Sequence, residues 1–391
     1  MPYSWMRQRQ FYVFLVLLVV SLVLLTVLKV FLIANKYDGL LKLAIGVKPE
    51  PAGMELFDLP HMEFSEFEHI LPNHTEKKIG IANVVGPDIP TSYYQHAMMS
   101  VGCYARAQGY EFRIFFSSNF TKECPHKDIY LQRHCVVSQV LPNYHILLYI
   151  DADMGVVNPK RRIEEYIDSS VDIAFFDRFY NWEVAAGSYI VRNSSWSLRF
   201  LKGFADYEYR LPLKFHGTDN GALHAYLAEV MFAKDRKNEL AFCFRIYYNA
   251  RSYDDLFTFE ACVRQMFGLF TRFGNIEIYK KGTAWVRDNW MSNSKWSPER
   301  DFMIHNWKSI QLRKYKTSDL PLSLHGPSKG EWFVPFDGHI HLNLCTSGNT
   351  TWNYDKNLIT SQRDIDMKFD ELYDRIDKER IKSLARMTDF L

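Results

Sequence analysis

The chain has 391 residues, 47% of them hydrophobic and 16% aromatic, with 47 Lys and Arg set against 45 Asp and Glu. That length suits one large α/β domain or two smaller ones. A formal charge of +2, with no basic run, argues against a nucleic-acid binder, and nothing in the composition is repetitive or broadly disordered.

A short tail, residues 1–10, carries Arg7 and Arg9 ahead of an apolar stretch over 11–34 that is broken only by Tyr12, Ser21, Thr26 and Lys29. The stretch is long enough to cross a bilayer as a helix, and Lys29 can snorkel toward the headgroups. A cleaved signal peptide is the alternative, but the apolar core is too long for one and no clean Ala-x-Ala site follows. An uncleaved signal-anchor is expected, with the preceding arginines keeping the short tail in the cytoplasm. Everything beyond it is then lumenal. Four glycosylation sequons fit that compartment: Asn73, Asn119, Asn193 and Asn349. Each is weak alone, and Asn193 stands close in sequence to the candidate site. Six cysteines, without a Cys-x-x-Cys, point to disulfides rather than zinc. Cys124 with Cys135 is the most plausible local pair.

Residues 35–77, with Pro49, Pro51, Pro60 and Pro72, read as a stem that holds a domain off the membrane. A domain over 78–356 follows. Lys78–Val85 reads as a first strand, Tyr93–Gly109 as a helix closed by Gly109, Tyr110–Phe116 as a second strand and Asp128–Leu141 as a second helix. The next strand runs up to Asp151, and strand–helix–strand–helix–strand is the pattern of a parallel sheet with crossover helices. Val171–Phe176 and Ala185–Val191 read as further strands. Helices are expected over about 195–209 and from Thr218, whereas 232–274 is aromatic-rich and resists parsing. Residues 357–391 read as a charged amphipathic helical tail.

The segment His145–Pro159 carries the chemistry. An apolar run of strand length ends at Asp151-Ala152-Asp153, and open α/β sheets bind their ligands beyond the carboxyl ends of the strands. Alternation along an extended segment would turn both carboxylates to one side. Two hard oxygen donors there suit Mg²⁺ or Mn²⁺ bridging a diphosphate; the alternative is a strand-end turn capped by aspartates. The bare pattern decides nothing, because Asp364-Ile-Asp366 repeats it within the charged tail, where a solvated helix face is expected.

Tyr149–Asp153, Ala186–Asn193 with Trp196-Ser-Leu198, Asp219-Asn-Gly-Ala-Leu223 and His305 stand in an order that resembles the galactosyl/xylosyltransferase family of α-mannan and xyloglucan synthesis. They also resemble a related family of unknown function expanded in nematodes. The resemblance covers about residues 78 to 310. It implies an α/β protein of the GT-A type, the nucleotide-diphospho-sugar transferase fold, with a mainly parallel Rossmann-like sheet behind an N-terminal transmembrane helix. It further implies a single-pass type II Golgi membrane protein that takes a nucleotide-sugar donor, UDP-linked in preference to GDP-linked, with Mn²⁺ or Mg²⁺ and a glycan or glycoprotein acceptor, and that retains the anomeric configuration.

Carried over by position, the resemblance assigns Asp151, Asp153 and His305 to the metal. It assigns Asp151, Ala152, Asp153, Gly187 and Lys308 to the donor, and Asp219 and Asn220 to the catalytic region. Each has a plain alternative: a packed histidine beside Trp307 for His305, a surface lysine for Lys308, and an Asx cap shared with Thr218 for Asp219. Asn220 stands where the family commonly has Gln. The chain also departs from the family at Ala185-Ala186, where Asn-Thr is usual, so an amide able to bond donor or acceptor is missing. Gly187 still permits close backbone approach to a sugar. Phe179, Tyr180, Trp182 and Trp196 are sugar-stacking candidates that equally suit a core.

The expected reaction moves a sugar from a nucleoside diphosphate to an acceptor hydroxyl through an oxocarbenium-like state, with a metal stabilising the departing diphosphate. Two other classes compete. One is a catalytically silent, membrane-anchored binder of glycans or a partner, which the Ala185-Ala186 departure favours. The other is a nucleotidyl- or phosphotransferase, against which the chain lacks a Gly-rich phosphate loop.

Overall fold

The computed structural model describes residues 78–87, 89–316 and 332–391. The expected tail, anchor and stem over 1–77, with the sequon at Asn73, lie outside them. Among the described residues no helix is long and apolar enough to cross a membrane.

The first half alternates as its apolar periodicity dictates. β1 (Ile79–Val85) leads to α1 (Gln95–Gln108), β2 (Glu111–Phe116), α2 (Ile129–Val140) and β3 (Ile146–Ile150). Ala97, Met98, Val101, Tyr104 and Ala105 form the buried face of α1, at the spacing that makes one stripe on a helix. Gly109 ends it with φ 79°, a left-handed conformation that glycine adopts without a Cβ penalty. Asp128 caps α2 by accepting from the Tyr130 amide. After β3 come β4 (Gly155–Val156), β5 (Ile173–Phe176), β6 (Ser188–Arg192), α3 (Ser195–Ala205), α4 (Thr218–Phe232), α5 (Lys237–Asn249) and α6 (Tyr253–Phe267). Then follow β7 (Arg272–Phe273), β8 (Ile276–Tyr279), β9 (Val286–Asp288), β10 (Met303–His305), two short strands and α7 (Gln362–Ala385).

Seven strands form the central sheet in the order β2-β1-β3-β6-β5-β8-β7. β2, β1 and β3 pair in parallel, as do β5 and β8, so the protein is mixed α/β with a mostly parallel sheet. β6 departs from the expected parallel run, lying antiparallel to both β3 and β5. The reason is the connection: residues 177–187 contain no crossover helix, so the chain turns back beside its own strand instead of crossing over the sheet. The unparsed stretch 232–274 is α5 and α6, joined by a Cys243–Cys262 disulfide. The expected Cys124–Cys135 pair is bonded, and Cys103 pairs with Cys345.

α7 buries Ile365, Phe369, Leu372 and Ile376 against a cluster that includes Phe179, Trp182 and Met291. Asp364 is exposed on its first turn, bonded to Ser361, the N-cap. Asp366 pairs with Arg300 at 3.2 Å.

Candidate active site

A second, three-stranded sheet of order β4-β10-β9 builds the site. Antiparallel pairing sets Ile304 opposite Gly155, and parallel pairing sets His305 opposite Asp288. The Trp307 amide then donates to the Asp153 carbonyl at 2.8 Å. This closure needs Gly155, because a Cβ there would overlap the Trp307 ring. The register therefore lines up Asp153, His305 and Asp288. In the central sheet Ile150 faces Ser188, which brings Gly187 alongside Asp151.

Asp151, Asp153 and His305 each offer one ligand atom, all within 4.8 Å of one another. The convergence has a different origin from the strand alternation expected. β3 stops at Ile150, and residues 151–154 form a turn in which the Met154 amide donates to the Asp151 carbonyl at 3.0 Å. Two carboxylates with an imidazole suit Mn²⁺ or another divalent ion of intermediate hardness. Behind them, His305 Nδ1 meets Asp288 Oδ1 at 2.7 Å while Nε2 faces Asp153 Oδ1 at 3.2 Å. A carboxylate that fixes the ring from behind is the usual support of a metal-binding histidine.

The charges interlock. Burial alone would lower the His305 imidazole; Asp153 and Asp288 override it and hold the group up to about 10. Burial raises Asp151, against the pull of Arg133. Asp153 is lowered in spite of burial, by His305 and Lys308. Arg178 bonds Glu183 at 3.0 Å and both Asp288 oxygens at 3.3 Å, and burial notwithstanding it keeps Asp288 below the usual carboxylate range.

A cavity of about 260 Å³ opens beside this cluster. Of the residues singled out in the sequence, Asp151, Gly187, Asp219, Asn220 and His305 line it, whereas Ala152, Asp153 and Lys308 do not. Ala152 sits half-exposed in the turn, and Lys308 heads a short 3₁₀ turn near enough to Asp153 to act on its charge. The Asp151 carboxylate packs where a Gly187 Cβ would stand, so the missing side chain is what lets Asp151 come close.

Asp219 is no helix cap. Gly217 holds the N-cap position of α4 with φ 67° and Thr218 follows with φ 49°, and Asp219 turns inward to the Arg133 guanidinium and His134. Burial opposes its charge, but Arg133 and His134 bring it down to about 2. Asn220 accepts the Ala186 amide at 2.9 Å, so it orients the backbone beside Gly187. Asn193 is far from this end of the sheet: β6 runs away from Ser188, and the Asn193 amide bonds His145, at the start of β3. The Asn119, Asn193 and Asn349 side chains are exposed.

Three residues that sequence reasoning passed over complete the site. Arg133 bridges Asp151 and Asp219; its signal was a single formally charged side chain in a helix otherwise free of charge. Asp288 and Arg178 sit in segments too short to show periodicity. Trp182 and Phe179 are buried, Trp196 packs on the core and Tyr180 is exposed.

A family model described as "Protein of unknown function, DUF273" matches residues 101–321, more than half of the chain. No curated protein matches it. Among solved structures, a glycosyltransferase involved in the glycosylation of the major capsid of PBCV-1 is 13% identical, over 58% of this chain and 93% of that one, with a TM-score of 0.35. The glycosyltransferase GlyE of Streptococcus pneumoniae TIGR4 is 10% identical, over 55% and 85%, with a TM-score of 0.28. Likeness at that level does not bear on activity.

Proposed function

We propose that this chain, which belongs to the DUF273 family of proteins of unknown function, is a metal-dependent glycosyltransferase that moves a sugar from a nucleotide-sugar donor to a glycan or glycoprotein hydroxyl. One observation carries the reading: Asp151, Asp153 and His305 converge within 4.8 Å, at the carboxyl end of a central strand and beside a cavity of about 260 Å³. These three would hold a divalent ion such as Mn²⁺, which as a Lewis acid neutralises charge growing on a departing diphosphate.

The chain's own groups do the rest. Arg133 fixes Asp151 and Asp219 relative to each other, and Asp288 fixes His305. Lys308 adds a positive point charge on the Asp153 side. Asp219 is anionic and engaged on both oxygens, by Arg133 and His134 and by Thr218. Its proposed role is therefore to position, through Arg133, rather than to take a proton. In the reaction the anomeric C–O bond to the diphosphate breaks, the bond to the acceptor oxygen forms, and the acceptor's proton leaves with the diphosphate. Retention of configuration, a UDP-linked donor and a single-pass, lumenal Golgi placement belong to the same proposal. Three disulfides support an oxidising compartment.

Thermal shift of the full-length protein in detergent, with Mn²⁺ and a panel of UDP- and GDP-sugars, tests it, because a bound ligand raises stability by mass action. Stabilisation by a UDP-sugar that needs Mn²⁺ and is lost in Asp153→Asn and His305→Ala is expected. Donor hydrolysis should follow the same pattern. Indifference to every nucleotide and metal would remove the enzyme reading. It would leave the silent glycan- or partner-binding domain, which Ala185-Ala186 and the prior engagement of Asp219 by Arg133 favour.

A further inference from the structure

A cavity of about 260 Å³ cannot enclose both a donor sugar and an oligosaccharide, so most of such an acceptor must lie along its rim. One rim is aromatic and unfilled. Arg178, which lines the cavity, lies over the Tyr180 ring at 5.7 Å. From Tyr180 the rings continue to Phe257 at 6.0 Å, then to Tyr253 at 6.1 Å and Phe215 at 5.4 Å. Phe215 ends the row three residues before Thr218, which lines the cavity again. The row thus starts at the cavity wall, where Arg178 covers Tyr180.

Tyr180 is 55% and Tyr253 64% exposed. Phe257 and Phe215 lie half-buried beneath and beside them. Phe257 packs on the cluster that holds Phe179 and Trp182, but core packing does not account for the exposure of the two tyrosine rings joined to it. Aromatic faces next to a polar pocket match the C–H faces of sugar rings, and the phenol ends of the tyrosines match their hydroxyls. Arg178 is paired with Glu183 and Asp288, and Asp254 and Asp255 with Arg386, whereas Lys214 beside Phe215 and Arg251 near Tyr253 stand exposed.

We infer that Tyr180, Phe257, Tyr253 and Phe215 form an acceptor subsite that takes an oligosaccharide by stacking, with its reacting end at the mouth of the cavity. This rests on the transferase reading and names its acceptor class. Successive ring centres more than 5 Å apart make the row longer than a single sugar, so it selects chains over monosaccharides.

The test uses the full-length protein, an immobilised panel of neutral and acidic oligosaccharides of four or more residues, and the corresponding monosaccharides. At least one oligosaccharide should bind, and no monosaccharide. Tyr180→Ala with Tyr253→Ala, both exposed and so harmless to folding, should weaken that binding about tenfold, as the loss of two aromatic contacts implies. UDP-sugar hydrolysis and Mn²⁺ affinity should stay at wild-type values. Unchanged oligosaccharide binding in the double variant overturns the inference. So does failure of every oligosaccharide to bind while nucleotide-sugar hydrolysis persists, an outcome that leaves the transferase reading standing. Loss of the nucleotide and metal responses in the wild type strikes that reading instead.

Discussion

Replacing Gly187 by Ala adds one methyl group against the Asp151 carboxylate. Its Cβ would stand 2.9 Å from Asp151 Cγ and closer still to Oδ2. Unstrained carbon–carbon contacts begin near 3.5 Å, so the carboxylate must retreat by about 0.6 Å. Metal–ligand distances tolerate only about 0.2 Å, and Asp151 cannot swing freely, since its Oδ1 is held by Arg133 and by the Tyr149 hydroxyl at 3.3 Å. The backbone itself is no obstacle, because Gly187 does not lie in the left-handed region. We therefore expect Gly187→Ala to fold, to lose about 1–3 kcal/mol of stability from overpacking, and to bind Mn²⁺ at least tenfold more weakly. Electron paramagnetic resonance titration of free Mn²⁺ gives the affinity and urea denaturation gives the stability. Wild-type Mn²⁺ affinity in a folded Gly187→Ala protein would refute the placement of Asp151 among the ligands.

Arg133→Met leaves buried Asp219 and half-buried Asp151 without their shared cation, a loss expected to cost about 3 kcal/mol at neutral pH and less at pH 4, where the released carboxyls can protonate; a destabilisation under about 1 kcal/mol by urea denaturation would show that the bridge is idle. His224 supplies a pH dependence. Its Nε2 accepts the Val184 amide at 3.2 Å while Nδ1 donates to the Asn220 carbonyl at 2.9 Å, a pattern only the neutral ring satisfies, and burial lowers it to about 3. The unfolded chain, with an ordinary histidine near 6.5, then binds the extra proton between about pH 3 and 6.5, so stability falls as pH falls through that window, by about 2 kcal/mol between pH 7 and 4.5. His224→Asn should flatten this slope by close to one proton, and an unaltered slope would count against the assignment.

The strands and helices up to Ile150 could be read from the sequence because each is long enough to repeat its pattern: Val101 and Ala105 on one face of α1, an unbroken apolar β3. The stripe of α7 was equally plain. The antiparallel β6 was not, since strand direction depends on what lies between strands, and Val191 looks the same in either sense. The β4-β10-β9 sheet, made of two- and three-residue strands, has no periodicity to read. That is why the Asp151–Asp153 turn stood out by its own spacing while His305 came only by resemblance, and Asp288 not at all. Arg133 was hidden differently: a lone arginine in an apolar helix reads as a snorkelling side chain, and its two acids lie 18 and 86 residues further along the chain.

The bond from Trp307 to the Asp153 carbonyl joins points more than 150 residues apart in the chain. Nothing local holds His305 against the aspartates, so the closure of that long loop must precede it, and loops of this span close late. During refolding, secondary structure should recover first and the ion-binding trio last. Under the proposed metal role, Mn²⁺ uptake would then be a clock for the final docking step, readable by stopped-flow long after the helices have reformed.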